Sequence, residues 1–241
     1  MCEQVLTRCK HLGFSIITIG GGDPMRYDFI DDLLIRAREC FPFVHLDTNL
    51  LRMNAQRAEV VNANVNLIGI PVDGSTAALH NLVRNAPNHF ETIEQNISFL
   101  DSSRLSIKIN TVATTQNLAD ILSIGESIKI FHPTRWSVYE YWPLGIGLPN
   151  QSNFILSVDQ YAALERDLSK RYWPFIVETN SVKSRDGTYL FVTQAGQLYI
   201  LDSGGNNGYL TLGSIFDDDV VATAMSIPRK PLRTQAESRY S

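Results

Sequence analysis

The chain has 241 residues, of which 44% are hydrophobic, 19% charged and 10% aromatic. These proportions are those of a globular protein with one well-buried domain, with or without a small appendage. The formal net charge of −4 excludes the strongly basic surface of proteins that bind nucleic acids or anionic membranes. No apolar segment of the sequence is long enough to span a bilayer, and its first residues lack the layout of a signal peptide, so we expect a cytoplasmic protein.

Short apolar segments rich in β-branched residues alternate with amphipathic segments over the first 145 residues. The apolar segments predict strands at residues 15–19, 43–46, 66–70, 105–109 and 136–140. The segments between them carry apolar residues at helical spacing, for example Phe29, Leu33 and Ala37. Repeated strand–helix units predict a parallel sheet, and ligands of such folds gather at the carboxyl ends of the strands.

The pattern changes after residue 143. Residues 143–156 predict a loop, and Ser157 and Gln160 form a capping box for a helix that runs to about residue 172. Hairpin-like strands are predicted at residues 175–177, 189–192 and 197–200, followed by a loop at 203–208. The last residues lack periodicity and predict a disordered tail. These changes divide the chain into a barrel at 1–145, a C-terminal helix and β-hairpin extension at 146–227, and a tail at 228–241.

Glycine and polar residues follow nearly every predicted strand. The run of glycines at residues 20–22 would let backbone carbonyls approach the amino group of a ligand closely, although a tight turn alone also uses glycine. Asn110 lies in an apolar segment, where a buried polar side chain needs a partner. Lys108 points to the side of the strand opposite Ile107 and Ile109, which places it either between the helices or in the barrel interior. Glu140, at the end of the fifth strand, is a candidate for the interior or a residue of a surface loop.

Five elements in order resemble motifs of the radical S-adenosylmethionine (radical SAM) superfamily. The residues that carry the resemblance are Gly20-Gly21-Gly22-Asp23-Pro24 for the GGE-P element, Asp47-Thr48-Asn49 for T-N-G, Gly69 to Gly74 with His80 and Arg84 for S-[LIV]-D-G…H-x-x-x-R, Lys108 to Val112 for K-[IV]-N-[ST]-V, and Arg135 to Val138 for R-W-[KR]-[VL]. The last two elements are most similar to the viperin-like branch. The resemblance covers residues 14–145.

The resemblance implies a fold, a cofactor and a set of site residues. The fold would be a partial parallel (β/α)6-type barrel, five strands of which are present, with a small C-terminal β appendage. SAM would be bound by a set of strand-end residues, namely Gly21, Gly22, Asp23, Pro24, Asn49, Asp73 and Asn110. Arg84, Lys108 and Glu140 would be the candidates for contacts with the substrate.

Three positions depart from the family pattern. Asp23 replaces the usual glutamate, which keeps the charge but shortens its reach. Pro71 stands where a serine is common, which removes one hydroxyl contact. Ser137 replaces a basic residue that contacts a nucleotide phosphate in viperin-like enzymes, and this replacement argues against a nucleoside triphosphate as substrate.

The cysteine motif of the family is absent from this sequence. Radical SAM enzymes hold a [4Fe–4S] cluster on three cysteines spaced C-x3-C-x2-C, whereas Cys2, Cys9 and Cys40 have other spacings. The five histidines have no metal-ligand spacing either, so we predict no metal site. An amphipathic helix closed by Gly13 opens the chain with no strand before it. We therefore expect that a truncation or a shifted start removed the first strand and the cluster loop, and that a cluster requires a preceding segment.

Three interpretations of the function follow. The resemblance implies an enzyme that cleaves SAM reductively to a 5′-deoxyadenosyl radical, which abstracts hydrogen from an unidentified small-molecule or peptide substrate. Such an enzyme needs an electron donor as partner. A non-catalytic relative that binds a nucleotide-like ligand or a protein partner is the second interpretation. The third is an unrelated β/α enzyme, such as an aldolase-type barrel with Lys108 as the Schiff-base amine.

Overall fold

The computed structural model describes residues 1–144, 151–204 and 208–228. Its strands are β1 (Ile16–Ile19), β2 (Phe43–Asp47), β3 (Leu67–Pro71), β4 (Ser106–Ala113), β5 (Arg135–Glu140), β6 (Ile176–Asn180), β7 (Leu190–Val192), β8 (Gln197–Leu201) and β9 (Tyr209–Ser214). Its α-helices are α1 (Cys2–His11), α2 (Ile30–Cys40), α3 (Ala55–Asn64), α4 (Ala77–Arg84), α5 (His89–Ile97), α6 (Ile121–Ser127), α7 (Val158–Ser169), α8 (Val182–Arg185) and α9 (Asp218–Ser226).

The first six strands form one sheet in the order β1-β2-β3-β4-β5-β6, and every neighbouring pair in it is parallel. Strands β7, β8 and β9 form a separate antiparallel sheet. These findings confirm the predicted fold class, an α/β fold built on a parallel sheet with a small β appendage. All five strands predicted within residues 15–140 are present.

Strand β6 corrects one assignment made from the sequence. Residues 175–177 were assigned to a hairpin-like strand of the C-terminal extension, but β6 pairs in parallel with β5, with Ser137 opposite Glu178. The strand–helix alternation therefore continues beyond residue 145, because α7 connects β5 to β6. The capping box that starts α7 is present, with Ser157 and Gln160 bonding each other's backbone. The predicted domain boundary at residue 145 stays a prediction.

The C-terminal part holds two further elements that the sequence analysis missed. Strand β9 completes the small sheet, and α9 packs against it, since a Cβ at Gly213 would lie 2.8 Å from Val220. Both segments are short and lack a strong periodic pattern. Parts of the predicted loops at 143–156 and 203–208, and nearly all of the predicted tail, lie outside the described residues.

The two faces of the parallel sheet differ in chemistry. Apolar residues on one face pack against the surrounding helices and form a buried core, to which Val44, Leu46, Ile68, Ile70, Ile109 and Val138 contribute. On β2, β4, β5 and β6 the alternate residues face the opposite side, which we call the barrel interior, and many of them are polar, among them Asp47, Lys108, Ser137 and Glu178. The helices thus leave the polar side chains of the sheet free to build a site.

Helix α1 is held near its C-terminal end. Gly13, with φ +83°, follows it as predicted, and the backbone N–H of Phe14 donates to the carbonyl of Cys9. The guanidinium of Arg8 donates to the carbonyl of Ile215 at 3.0 Å and forms an ion pair with Asp218. The N-terminal helix is therefore joined to the C-terminal end of the described chain.

The contact between α6 and two tryptophans tests the packing of the core. A Cβ at Gly125 would lie 2.5 Å from Trp173 and 2.6 Å from Trp136. Overpacking of this kind costs about 1–3 kcal/mol, which exceeds the roughly 1 kcal/mol that alanine gains over glycine in a helix. We expect Gly125→Ala to lower the free energy of unfolding, measured by urea denaturation. Ser123→Ala, on the exposed side of the same helix, should leave it unchanged or higher, and equal stability of both variants would contradict the packing.

Candidate functional site

The predicted site residues converge on the carboxyl edge of the parallel sheet. Asp23 follows β1, Asn49 follows β2, Asp73 follows β3 and Glu140 ends β5. Because neighbouring parallel strands end at the same edge, these residues share one end of the barrel. Asn110 differs, since β4 runs to Ala113, four residues beyond its predicted end at residue 109. It therefore lies inside the strand, on the interior face.

The turn after β1 is built around glycines and Asp23. Gly21 and Gly22 have φ of +86° and +56°, which favours glycine, and no atom lies within 4 Å of a Cβ built on either. Oδ1 of Asp23 accepts from the backbone N–H of Met25 at 3.2 Å and from Oγ1 of Thr48 at 2.8 Å. Oδ2 of Asp23 is buried and has no hydrogen-bond partner among the described residues. A buried acceptor of this kind needs a donor.

Pro24 and Thr48 fix this turn in place. Pro24 stands in the first turn of a short 3₁₀ helix capped by Asp23, a position where its missing N–H costs no bond. Thr48 also accepts from the backbone N–H of Leu50 at 3.2 Å. The sequence analysis noted Thr48 only as part of a motif, whereas the structure shows that it joins the loops after β1 and β2.

Asp73 is committed to contacts within the chain. Its Oδ1 accepts from the backbone N–H of Val112 at 2.7 Å, its Oδ2 accepts from Arg84 at 2.9 Å, and its side chain is 3% exposed. These contacts tie α4 and β4 to the loop after β3. The assignments of Asp73 to the SAM ribose and of Arg84 to a substrate stay predictions, and the contacts favour a structural role for both.

Two buried histidines connect the loops after β2 and β3. The backbone N–H of Asp73 donates to Nδ1 of His80 at 3.1 Å. Nε2 of His80 must then carry the proton, and it donates to Nδ1 of His89 at 3.0 Å. Nε2 of His89 in turn donates to the carbonyl of Asn49 at 3.0 Å. The result is a continuous chain of hydrogen bonds through two neutral imidazoles.

The environment keeps both histidines neutral. Burial, with His89 and the guanidinium of Arg84 close by, lowers the pKa of His80 to about 3. Burial also lowers the pKa of His89, against the hydrogen bond to Asn49 that raises it. No sequence pattern indicates this pair, because it arises where α4 packs against α5.

The side chains of Asn49 and Asn117 stabilise the loops that follow β2, β3 and β4. Oδ1 of Asn49 accepts from the backbone N–H of Leu51 at 3.0 Å, which shapes the turn after β2. Asn117 precedes a short 3₁₀ helix (Leu118–Asp120) but makes no side-chain cap bond to it. Its Nδ2 instead donates to the carbonyls of Asp73 and Val112, both at 3.0 Å. Asn117 therefore joins the loop after β3 to the end of β4.

Inside the barrel, Asp47 is the centre of a polar cluster. Its Oδ1 lies 2.9 Å from Nδ2 of Asn110 and 3.3 Å from Nε2 of His45. A Cβ at Gly69 would lie 1.9 Å from the same oxygen, so only glycine fits beneath it. Burial raises the pKa of Asp47, but the charges of Lys108 and His45 and the hydrogen bond from Asn110 outweigh it and hold that pKa well below its usual value.

Lys108 lies in the interior, one of the two positions that its alternation with isoleucines allows. Its side chain is 1% exposed, and its Nζ lies 5.6 Å from the centre of the Tyr139 ring. Oδ1 of Asn110, beside it on β4, is buried without a partner among the described residues. The interior thus offers an ammonium and an amide oxygen close to the strand edge.

A second polar cluster lies between β5 and β6. Nη1 of Arg135 lies 2.6 Å from Oε1 of Glu178, and Oγ of Ser137 donates to Oε2 at 2.7 Å. Ser137, which stands where viperin-like enzymes carry a basic residue, is therefore a buried partner of Glu178. The sequence analysis missed Glu178, because β6 was assigned to the wrong sheet.

Glu140 bonds to the start of α8. Its Oε2 accepts from the backbone N–H of Val182 at 2.7 Å, and its carbonyl accepts from Arg185. Its carboxylate is therefore engaged at a helix N-terminus, which favours an acidic group. The assignment of Glu140 to a substrate stays a prediction.

The cysteines of this sequence do not fit a [4Fe–4S] cluster. Cys2 and Cys9 lie on α1 and Cys40 ends α2, and burial raises the pKa of the Cys9 thiol to about 11. A [4Fe–4S] cluster needs several thiolates on one loop, whereas these three cysteines lie on two helices. Across residues 1–144, 151–204 and 208–228, no three His, Cys, Asp or Glu side chains are grouped as metal ligands.

No helix within residues 1–144, 151–204 and 208–228 is long and apolar enough to cross a membrane.

Known structures with bound S-adenosylmethionine (AdoMet) match this architecture. AdoMet-bound anSMEcpe superimposes with a TM-score of 0.68 over 99% of this chain and 72% of its own, at 16% identity. Streptococcus suis SuiB bound to S-adenosylmethionine gives a TM-score of 0.67 over 93% of this chain and 58% of its own, at 15% identity.

The chain shares the fold of two AdoMet-binding proteins. Both have also been solved with peptides, SuiB with its precursor peptide SuiA and anSMEcpe with the Kp18Cys peptide. At these levels of identity the likeness concerns the fold, and it agrees with the partial barrel that the motifs imply.

Sequence relatives carry names that refer to the same cofactor. The AdoMet-dependent heme synthase of Oleidesulfovibrio alaskensis is 29% identical over 144 residues, which is 59% of this chain and 37% of that protein. The S-adenosylmethionine-dependent nucleotide dehydratase of Flammeovirga pacifica is 23% identical over 201 residues, 81% of this chain and 68% of that protein. The chain spans less than half the length of the heme synthases that it matches. No protein-family model matches the chain.

The histidine pair predicts how stability depends on pH. The folded state holds the His80 imidazole neutral, whereas in the unfolded chain the same imidazole gains a proton near pH 6.5. The free energy of unfolding is therefore highest above about pH 6.5 and falls as the pH drops toward 3. Between pH 7.5 and 5.5 we expect a loss of about 1 kcal/mol in the free energy of unfolding, measured by urea denaturation. His80→Gln should flatten this dependence, whereas His11→Gln, which changes an exposed side chain, should keep it. A flat profile of the unmodified protein would contradict the neutral pair.

Proposed function

We propose that this chain is the SAM-binding portion of a radical SAM-type enzyme. The observation that carries the proposal is the turn after β1, where two glycines with positive φ stand beside Asp23, whose Oδ2 is buried without a partner among the described residues. This turn lies at the carboxyl edge of the parallel sheet, where ligands of β/α folds gather, and the fold is shared with AdoMet-bound proteins. Open backbone and an unsatisfied carboxylate oxygen fit the amino group of a SAM methionyl moiety.

Other residues of the edge fit the rest of the cofactor. The unpartnered Oδ1 of Asn110 is suited to accept from a ribose hydroxyl. Asn49 and Pro24 shape the loops on either side, and Asp73 with His80 holds the third loop in position. When bound, SAM supplies the 5′-deoxyadenosyl group for hydrogen abstraction. This chain's own residues would bind and orient it.

The finer identity of the enzyme is part of the proposal. The two elements resembling the viperin-like branch, and the match to a nucleotide dehydratase, favour a nucleotide substrate. The absence of a basic side chain at Ser137, which is buried against Glu178, favours another substrate. The peptide complexes of SuiB and anSMEcpe support a peptide or a small molecule. A cluster and an electron donor would have to come from residues other than those of this sequence.

A non-catalytic relative is the second candidate. The lack of a cysteine set that fits a cluster favours it, because the same loops could hold SAM or another nucleoside without cleaving it. Sequencing the DNA upstream of the Met1 codon separates the two candidates. An in-frame C-x3-C-x2-C motif favours the enzyme, and its absence favours the non-catalytic relative.

Binding of SAM to this chain tests the site itself. The hydrogen bonds from this chain to SAM contribute about 0.5–1.5 kcal/mol each, and the entropy lost on association offsets much of that gain. We therefore expect SAM to bind with a Kd of roughly 1 mM, measured by isothermal calorimetry. Asn110→Ala should weaken binding below detection, because it removes an acceptor from the interior. Gln56→Ala, on the exposed face of α3, is the matched control. Unchanged binding in Asn110→Ala would place the cofactor elsewhere.

Iron reconstitution tests the assignment of the cysteines. Incubated anaerobically with iron and sulfide, this chain should not retain the roughly four irons of a [4Fe–4S] cluster, because Cys2, Cys9 and Cys40 lie on two helices and Cys9 is held as a thiol. Iron analysis and the visible absorption spectrum give the result. Stoichiometric iron that is lost in Cys9→Ser would show that these cysteines do form a cluster.

A further inference from the structure

The barrel interior buries a lysine that has no hydrogen-bond acceptor. Lys108 is 1% exposed, and its ammonium makes no hydrogen bond to any described residue. The carboxylate of Asp47 acts on Lys108 through its charge without coming within ion-pair distance, and is itself bonded to Asn110. Burying an ammonium is unfavourable unless charged or polar partners surround it. Its remaining donors are available to a ligand.

Arg185 is a second cation in the same interior without a carboxylate partner. Its guanidinium lies 5.5 Å from the centre of the Tyr139 ring and 5.3 Å from that of Trp142. Its hydrogen bonds go to two backbone carbonyls, those of Glu140 and Ser181. Among the described residues no carboxylate lies within ion-pair distance of it, because the carboxylate of Glu140 bonds to α8 instead.

Tyr139 lies beside both cations, and Asn180 stands next to it on the neighbouring strand. The Tyr139 ring contacts both Lys108 and Arg185. Asn180 stands opposite Tyr139 in the register of β5 and β6 and is 6% exposed. Its Nδ2 is buried without an acceptor among the residues that the structure describes. Donor groups from three elements are therefore placed near one aromatic ring, and none of the three has a carboxylate within ion-pair or hydrogen-bond distance among the described residues.

We propose that the interior beside Tyr139 binds a single carboxylate group of the substrate, held by Lys108, Arg185 and the amide of Asn180. This inference rests on the proposed function, since it places the substrate on the interior side of the SAM edge. Each interaction is a charge-assisted or neutral N–H···O bond that a carboxylate accepts with two oxygens. The class of substrate is a carboxylate-bearing molecule, such as a small organic acid or an acidic peptide.

The charges of the interior favour a monoanion over a polyanion. Arg135 and Glu178 form an ion pair and cancel each other. The charges of Asp47 and Glu140 act on Lys108 and Arg185 and balance them without an ion-pair contact. A carboxylate adds a single negative charge beside these donors, whereas a triphosphate would bring several uncompensated charges into the interior. The site is therefore unsuited to a nucleoside triphosphate.

Simple probes test this selectivity on the unmodified chain. Benzoate, benzamide and inorganic triphosphate are titrated separately and followed by isothermal calorimetry. We expect benzoate to bind about tenfold more tightly than its neutral isostere benzamide, and triphosphate to bind more weakly than benzoate. Equal binding of benzoate and benzamide would overturn the proposal, and tighter binding of triphosphate would replace the carboxylate site with a polyphosphate site.

Variants locate the binding. Lys108→Met and Arg185→Met should each weaken benzoate binding by about tenfold or more, while Arg171→Met, on an exposed arginine, should not change it. Equal weakening of benzoate binding in Arg171→Met would show that the loss comes from the lower net charge of the protein and would contradict the site. If a variant fails to fold, NMR of the unmodified protein still decides, because benzoate should shift the side-chain amide resonances of Asn180, and no shift would contradict the site.

A parallel titration with SAM separates the two proposals. If SAM binds and benzoate does not, the carboxylate site is wrong and the proposed function stands. If benzoate binds and depends on Lys108 and Arg185 while SAM does not bind, the interior site stands and the cofactor assignment fails.

Discussion

The structure depends on a sheet that buries charge on one face and hydrocarbon on the other. A carboxylate that faces such an interior is stabilised by donors around it, and the partly exposed side chain of Asp47 has His45, Lys108 and Asn110 beside it. Gly69 makes the arrangement possible, because a side chain there would occupy the space of the Asp47 carboxylate. The interior is thus a polar surface fixed by its own pairing, on which a small number of donors remain unsatisfied.

The loops at the strand edge are held to one another before any ligand arrives. Thr48 joins the turn of Asp23 to the loop after β2, the histidine pair joins that loop to Asp73, and Asn117 joins Asp73 to the end of β4. Backbone groups are partners in most of these bonds, so the loops are positioned by side chains that need not touch a ligand. Such preorganisation reduces the ordering cost of binding.

The sequence predicted those features of the fold that depend on the local pattern of residues. Alternation of residues predicted the five strands up to Glu140 and left two positions open for Lys108, and the glycines and polar residues after the strands marked the edge. A strand was predicted at residues 175–177, but the parallel pairing of β6 with β5 was not, because Glu178 and Asn180 interrupt its apolar character and their partners lie on β5. The pairing of His80 with His89 and of Arg185 with Tyr139 depends on tertiary packing, which no spacing along the chain encodes.

The tether of α1 to the far end of the chain affects when the fold can be completed during synthesis. Arg8 meets its partners across 207 and 210 residues of sequence, so these contacts cannot form until residue 218 has left the ribosome. Helix α1 can pack against α2 early, but its contacts with Ile215 and Asp218 form only late in synthesis. Contacts of such long range slow folding and prolong the exposure of partly folded chains. Completion of the fold around α1 therefore waits for the C-terminal residues.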